Sequence, residues 1–223
     1  MRRIALVALA VGVLGATAAC GGGTKKSEAA SSRLLHPQAL TAKAPARFDV
    51  TFTTTKGDFT ITVERSWAPN GADRFYNLAK ARFFDGVKFF RVVPNFVVQF
   101  GISPDPKVST AWRDATIPDD PVTEHNVRGA VSFASAGPGT RTTQLFIDLG
   151  SNTSLDSSGF APVGSVTGGM SVVDRLYSGY GDAPTSHQSE MQAQGNAWLD
   201  KNYPKLDSIK TARVTAESNP ALP

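Results

Sequence analysis

The run from Lys88 to Phe100, KFFRVVPNFVVQF, is the feature that most constrains how this chain folds. It is almost wholly apolar, yet it carries an arginine near its start and a glutamine near its end. Burying a guanidinium or an amide costs free energy unless the group is hydrogen-bonded within the protein or binds a ligand. The run is therefore either an ordinary pair of strands with its polar side in water, or the wall of a binding site.

The turn at Pro94-Asn95 decides how these side chains are sorted, because a slip of one residue moves them to the other face of the sheet. A two-residue turn would place Arg91 opposite Val98, whereas a three-residue loop places it opposite Gln99. In the second register one face of the hairpin holds Arg91, Val97 and Gln99, with Phe96 at its rim. The other face is wholly apolar and holds Phe90, Val92, Val98 and Phe100. This register separates polar from apolar residues better. It predicts an apolar floor with one fixed cation and one amide.

The remaining sequence is rich in strand patterns. Residues 47–65 alternate around a Lys56-Gly57 turn, which predicts a β-hairpin. Helical spacing predicts a helix that opens at Pro69-Asn70, and the proline-rich segment 103–127 is predicted as a loop. Further strands are predicted in RGAVSFASA, TQLFIDLG, GFAPVGSV and DSIKTARVTAE, and a short helix in GGMSVVDRLYSG. Together these elements indicate a β-barrel or sandwich with helical caps.

Three segments in order resemble the cyclophilin signatures. FFRVVPNFVVQFG is similar to F-[FH]-R-x-[IV]-P-x-F-x-x-Q-x-G, SFASAGPGTRTTQLFI resembles the second signature, and SLDSSGFAPVGSVTGGMSVVDRL the third. The resemblance covers about residues 47–216, and the tail is similar to a bacterial exported subgroup. It implies a mainly β fold: a closed eight-stranded antiparallel β-barrel capped by two helices, with an extra C-terminal helical segment.

The resemblance also implies peptidyl-prolyl cis–trans isomerase activity without a metal or cofactor. Rotation about an X–Pro bond frees the lone pair of the prolyl nitrogen, and a guanidinium offers that nitrogen fixed donors that cannot be deprotonated. Two other functions stand beside this one. A cyclophilin-fold holdase or adaptor would bind X–Pro segments without useful turnover. A solute-carrying β-barrel would need an enlarged lumen, and the large apolar residues of both hairpins indicate a filled one.

The resemblance further implies the residues of the site. Arg91 is the catalytic cation, which Gln99 orients while it binds the substrate backbone. The proline pocket comprises Phe96, Val97, Phe146 and Leu155, with Phe160 near its rim, and the groove for the preceding residues comprises Ala134, Ser135 and Gln144. Strand parity agrees, since Gln144 and Phe146 share one face of their strand.

Four positions depart from the family pattern. Val97 stands where Met is common, and Ser135 replaces an Asn, which shortens one backbone contact. Ser154 stands where many eukaryotic members have Trp, and Phe160 falls near the position of a rim histidine. Because Ser154 lacks the indole of that Trp, we expect cyclosporin to bind weakly.

The first twenty residues predict export. A basic MRR segment and an apolar run precede Cys20, the only cysteine, so residues 1–19 are interpreted as a signal peptide. The cleavage region resembles a bacterial lipobox, although Thr17 replaces the usual Leu. We therefore expect acylation of Cys20 and anchoring to the outer face of the bacterial cytoplasmic membrane. The alternative is ordinary cleavage that leaves a free thiol.

These patterns divide the rest of the chain into a lipid-anchored flexible linker (20–46), an isomerase domain (47–217) and a C-terminal tail (218–223). The net charge of +4 includes two arginines of the signal, so the mature chain is nearly neutral. That charge makes a nucleic-acid partner unexpected. We expect proline-containing polypeptides as partners, contact with the membrane through the anchor only, and a monomer.

An amphipathic helix broken at a glycine is predicted within residues 179–204. It is interpreted either as extra cover on one end of the barrel or as a lid that docks a substrate or partner.

Overall fold

The computed structural model describes residues 32–219, which fold around one antiparallel β-sheet. Its order is β3-β4-β6-β5-β7-β2-β1-β8. The strands are β1 (Arg47–Thr54), β2 (Gly57–Glu64), β3 (Arg91–Val92), β4 (Val97–Phe100), β5 (Ala130–Phe133), β6 (Leu145–Asp148), β7 (Pro162–Gly168) and β8 (Ile209–Ser218). Each segment that was predicted as a strand therefore forms a strand of this sheet. The predicted signal peptide, Cys20 and the outer parts of the linker and tail lie outside the described residues.

The sheet is an open half-barrel, so the prediction of a closed barrel is wrong. Strands β3 and β8 are its two edges and do not pair with each other. The segment before β3 meets the start of β8 instead, through a bridge between Lys88 and Ser208 and a 3.0 Å bond from Phe89 N to the Asp207 carbonyl. On β3 itself, Val92 N donates to the Gly181 carbonyl at 3.3 Å. The chain around Gly181 therefore occupies the edge that a closing strand would need.

Five α-helices lie wholly within residues 32–219, more than the two caps and C-terminal segment that were predicted. They are α1 (Pro69–Lys80), α2 (Pro106–Trp112), α3 (Met170–Val173), α4 (Gln188–Gln194) and α5 (Asn196–Asn202), with 3₁₀ turns at Pro37–Ala39, Thr153–Ser158 and Ala183–His187. None of them is long and apolar enough to cross a membrane. Helix α1 opens at Pro69 and buries Phe75 and Leu78, as predicted.

Helix α2 lies in the segment that was predicted as a loop. Its signals were local: the Asp105 carboxylate accepts a hydrogen bond from Lys107 N at 2.9 Å, and Pro106 occupies the first helical position. An Asp cap followed by proline is a helix start, because proline there lacks an N–H that would be unsatisfied anyway. The prolines of 103–127 were therefore misread as helix breakers only.

Aromatic rings fill the space between the sheet and α1. In the β1–β2 hairpin Phe52 pairs with Phe59, and the two rings stack 4.9 Å apart. The turn is Thr55-Lys56, one residue before the predicted Lys56-Gly57. Phe75, Phe84, Phe89, Phe100 and Phe133 are also fully buried. This filled interior is that of a packed core, not of a carrier with an open lumen.

Residues 34–44, part of the predicted flexible linker, pack against the domain. Leu34 is buried, and its carbonyl accepts a 2.8 Å hydrogen bond from Trp112 Nε1. Asn77 of α1 holds Ala42 at both backbone groups, donating to its carbonyl at 2.7 Å and accepting from its N–H at 3.1 Å. The folded unit therefore begins before residue 47. We call residues 34–44 the N-terminal strap.

Residues 179–204, here called the C-terminal insert, pack beside the β3–β4 hairpin, against residues that flank its two strands. A second apolar cluster joins them, made of Phe90, Ile102, Met191, Leu199 and Leu206. Phe90 was predicted to share the main core face with Val92, and it packs on the insert instead. Helices α4 and α5 meet at Gly195, whose φ of 62° suits glycine and where a Cβ would lie 2.1 Å from the Pro104 carbonyl oxygen.

Replacing Asn77 with Ala should loosen the strap. The side chain is buried and satisfies two backbone groups of Ala42, so its loss should lower the free energy of unfolding by about 1–3 kcal/mol. Limited trypsin cleavage after Lys43 should also become faster. Asn202→Ala removes an exposed amide on α5 and is the control, expected to stay within about 0.5 kcal/mol. Equal trypsin resistance in Asn77→Ala and the unsubstituted chain would show that the strap is not held by this residue.

Candidate active site

The β3–β4 hairpin adopts the three-residue register predicted from the sequence. Arg91 pairs with Gln99, and Val92 with Val98. Asn95 has a φ of 61°, a left-handed conformation that Asn tolerates better than most residues. Glycine at 150 lets the loop approach the end of β6, since a Cβ there would lie 2.4 Å from the Asn95 carbonyl oxygen. The turn thus fixes which side chains face the site.

Arg91 is held on three sides. Its Nη1 donates to Gln99 Oε1 at 3.3 Å, its guanidinium carbon lies 5.3 Å from the centre of the Phe96 ring, and its Nε forms an ion pair with Asp182. The ion pair lacks hydrogen-bond alignment, so the buried Nε–H has no aligned acceptor among residues 32–219. Arg91 Nη2 likewise has no hydrogen-bond acceptor among residues 32–219. One edge of the guanidinium thus remains available to a ligand.

A relay of amides extends from Arg91 along the floor of the site. Gln99 Nε2 donates to Gln144 Oε1 at 2.9 Å, and Gln144 Nε2 donates to Gln188 Oε1 at 3.0 Å. Each amide is both donor and acceptor, so the relay fixes the orientation of all three side chains. Gln188 belongs to the C-terminal insert, which therefore takes part in the site.

A pocket of about 280 Å³, lined by both apolar and polar side chains, lies beside the guanidinium. Its walls are Arg91, Phe96, Val97, Gln99, Ala134, Ser135, Phe146, Leu155 and Phe160, together with Thr185 and Gln188. The rings of Phe146 and Phe160 meet edge to face at 5.5 Å. Nine of the ten residues predicted for the catalytic and binding site therefore line one pocket.

Gln144, the tenth, lines a neighbouring groove of about 270 Å³ that shares Gln99, Ala134 and Ser135 with the pocket. Phe146 faces the pocket while Leu145 and Ile147 are buried in the main core, as strand parity predicted. Arg113 and Gln192 also line this groove, and sequence reasoning missed both. Arg113 directly follows α2, a helix that was not predicted, and Gln192 belongs to the insert, which lies outside the signature motifs.

The far wall of the pocket depends on Asn126, which is fully buried. Its Nδ2 donates to Asp156 Oδ1 at 2.7 Å and to the Phe160 carbonyl at 2.8 Å. Hydrogen bonds from the Asn126 backbone and side chain hold the pKa of Asp156 below its usual range. Because Asp156 follows Leu155 directly, this network sets where Leu155 and Phe160 stand.

The carboxylate of Asp148, at the end of β6, is buried. Among residues 32–219 it is the buried carboxylate that has an oxygen, Oδ2, without a hydrogen-bond partner. Asn152 Nδ2 donates to Asp148 Oδ1 and also, at 2.9 Å, to the Phe96 carbonyl. Burial raises the pKa of Asp148 to about 7; the Asn152 bond lowers it and the nearby Asp156 charge raises it further. The carboxyl therefore changes charge near neutral pH.

Comparison with known proteins identifies the family that carries this site. Residues 49–196 match the model described as "Cyclophilin type peptidyl-prolyl cis-trans isomerase/CLD". The chain belongs to the cyclophilin family. The family predicted from the sequence is thus confirmed, and the chain is a peptidyl-prolyl cis–trans isomerase of the cyclophilin type.

Individual cyclophilins show the extent of the likeness. A peptidyl-prolyl cis-trans isomerase of Acinetobacter baylyi is 31% identical over 180 residues, covering 78% of this chain and 93% of that protein. A fungal relative, peptidyl-prolyl cis-trans isomerase-like 1 of Emericella nidulans, is 33% identical and covers 57% of this chain and 80% of the relative. A solved cyclophilin of Cryptosporidium parvum has a TM-score of 0.57 at 18% identity, covering 77% of this chain and 99% of that one, which shows the shared fold.

The raised pKa of Asp148 predicts a pH-dependent stability. Between its ordinary value of 3.8 and about 7, the unfolded chain has released this proton and the folded chain retains it. The contribution of Asp148 to stability therefore falls as pH rises through this window and levels off above it. Asp148→Asn abolishes the titration, so its free energy of unfolding relative to the unsubstituted chain should rise from pH 4 to pH 7.

Denaturant unfolding at a series of pH values measures this difference. Asp58→Asn, which removes the same charge from an exposed position, should give a difference that changes little over the same range. A difference for Asp148→Asn as flat as that of Asp58→Asn would contradict the shifted pKa.

Proposed function

We propose that this chain accelerates rotation about X–Pro bonds in exported or surface proteins, and that Arg91 does so by stabilising the twisted amide. The barrier to rotation is about 18–20 kcal/mol because the planar amide is stabilised by resonance. In the twisted state the prolyl nitrogen regains its lone pair and becomes an acceptor. A donor placed there binds the transition state and not the planar ground state, which is the kind of interaction that raises turnover.

The observation that carries this proposal is the position of the guanidinium. It forms one wall of a pocket that the apolar side chains of Phe96, Phe146 and Leu155 also line, and Nη2 has no partner within residues 32–219. A prolyl ring in the pocket would bring its nitrogen to that edge. The relay through Gln99 and Gln144 keeps the donors oriented before the substrate arrives, so no reorganisation is needed during rotation.

The adjoining groove supports a peptide substrate that extends beyond the proline. It shares Gln99, Ala134 and Ser135 with the pocket, so a residue before the proline would lie along it. The Cryptosporidium parvum cyclophilin was also solved in the presence of the dipeptide Ala-Pro. We infer that this chain likewise takes Xaa–Pro segments of polypeptides, as a monomer and without a cofactor.

Export and anchoring are also part of the proposal. The signal pattern and the lipobox-like cleavage region support a lipoprotein held by acylated Cys20 on the outer face of the bacterial cytoplasmic membrane. Chains that emerge there unfolded would present X–Pro bonds whose uncatalysed isomerisation takes tens of seconds or longer.

Replacing Arg91 with Ala should slow isomerisation of a short Ala–Pro peptide at least tenfold, because a donor aimed at the transition state is lost. Isomerisation rates measured by exchange NMR test this. Thermal unfolding verifies that the fold is intact, and Arg47→Ala, a change to an exposed arginine of β1, is the matched control.

Two results would overturn this assignment. Equal activity in Arg91→Ala and the unsubstituted chain would make Arg91 the wrong residue. A folded chain that binds the peptide without accelerating its rotation would instead favour the binding module, a holdase or adaptor.

Cys20→Ser should release the protein from membranes when the gene is expressed in a bacterium with lipoprotein processing. Two or more acyl chains are needed for stable anchoring, and the thiol carries them. Membrane fractionation and labelling with a fatty-acid analogue measure the outcome. Thr17→Leu restores the usual lipobox residue and should remain membrane-bound. A Cys20→Ser protein that still fractionates with membranes like the unsubstituted one would exclude this anchor.

A further inference from the structure

Asp182 of the C-terminal insert lies beside the guanidinium of Arg91, and nothing in the signature motifs accounts for it. Its carboxylate forms the ion pair with Arg91 Nε, whereas the amide of Gln99 accepts from Nη1. We propose that Asp182 is a positioning residue for the isomerase reaction: it fixes the plane of the catalytic guanidinium so that Nη2 faces the pocket. This inference rests on the proposed function.

The backbone beside this ion pair is built to bring the two residues together. Val92 N donates to the Gly181 carbonyl at 3.3 Å, so the neighbours of Arg91 and Asp182 are hydrogen-bonded to each other. Asp182 precedes the 3₁₀ turn Ala183–His187, and its side chain makes no capping bond to that turn. The carboxylate is thus not engaged in local structure and is directed at the guanidinium.

The insert is held just before Asp182 by the hydrogen bond to the Gly181 carbonyl, and it is packed against the domain after Asp182. Pro184 is buried just after it, and Met191 and Leu199 pack into the second apolar cluster. Gln188 reaches the amide relay, accepting from Gln144 Nε2 at 3.0 Å. Asp182 is therefore carried by a packed segment, which lets it restrain Arg91 rather than move with it.

An arginine side chain has many rotamers, and a donor must be oriented before the reaction to stabilise its transition state. The other two contacts of Arg91 leave it rotational freedom, since the Gln99 bond is long at 3.3 Å and the contact with Phe96 is to a ring face. The Asp182 carboxylate adds a third, electrostatic contact at Nε, and three contacts restrain the guanidinium more than two do. Its carboxylate also reduces the positive potential at the site, but its side chain is 62% exposed, so water screens this opposing effect.

The experiment compares Asp182→Asn with a second ion pair between the insert and the sheet. Lys88 Nζ lies 2.7 Å from Asp200 Oδ1, and the Asp200 side chain is 63% exposed, nearly the same as Asp182. Asp200→Asn therefore removes an equivalent anchor of the insert away from the pocket. Both variants are made in the full chain, and kcat and KM are measured with an Ala–Pro peptide.

We expect Asp182→Asn to lower kcat about fivefold with KM changed less than about twofold, the size of effect that an exposed ion pair can supply. Asp182→Glu should restore most of the loss, and Asp200→Asn should retain the full kcat. In an Arg91→Ala background Asp182→Asn should have no further effect. The {¹H}–¹⁵N heteronuclear NOE of the Arg91 Nε–H should fall in Asp182→Asn and stay unchanged in Asp200→Asn.

Several results would overturn the proposal. An unchanged kcat and NOE would exclude a positioning role, and a raised kcat would show that Asp182 competes with the substrate for Arg91. Equal losses in Asp182→Asn and Asp200→Asn would mean that only the fold of the insert matters. If the unsubstituted chain has no activity, the proposed function fails, and the NOE of Arg91 still decides whether Asp182 restrains it.

Discussion

The register of the β3–β4 hairpin is the constraint on which the site depends. The three-residue loop, with Asn95 in the left-handed region, places Arg91 opposite Gln99 and directs both toward the pocket. With a two-residue turn, Arg91 would face Val98, and the strand would bury a guanidinium in a core of phenylalanines at high cost. Val92 and Val98 instead enter that core, where the packing of large side chains holds the hairpin rigid. The proposed role of Arg91 as an oriented donor requires such a fixed hairpin.

The C-terminal insert shows how an open sheet edge becomes part of an active site. A closing strand would pair with the free backbone groups of β3 along its length. Here the Gly181 carbonyl accepts the hydrogen bond from Val92 N instead, and the insert continues over the pocket. Its apolar side packs on Phe90 and Ile102, so the same segment packs beside the hairpin and contributes Thr185 and Gln188 to the pocket. This packing agrees with the interpretation of residues 179–204 as extra cover, and docking of a substrate or partner stays a prediction.

The sequence predicted best where side-chain pattern alone decides the outcome. Alternation in β1 and β2, the parity of Gln144 and Phe146, and the hairpin register all follow from a strand's two-residue period, and the structure agrees with each. The misses depend on tertiary contacts. Nothing in residues 34–44 indicates that Asn77 and Trp112 would hold them, and no motif links Asp182 to an arginine 91 positions earlier. Helix α2 is different, because its Asp-Pro start is visible in the sequence, but the whole segment was predicted as a loop from its prolines.

A crystal structure of the protein with an Ala–Pro dipeptide tests the central claim most directly. The account predicts that the prolyl ring lies against Phe96, Phe146 and Leu155, with a guanidinium nitrogen of Arg91 within hydrogen-bond distance of the prolyl nitrogen. The alanyl residue should then lie along the groove beside Ala134 and Gln144. A dipeptide bound with its ring outside this pocket, or with Arg91 turned away from the prolyl nitrogen, would contradict the account.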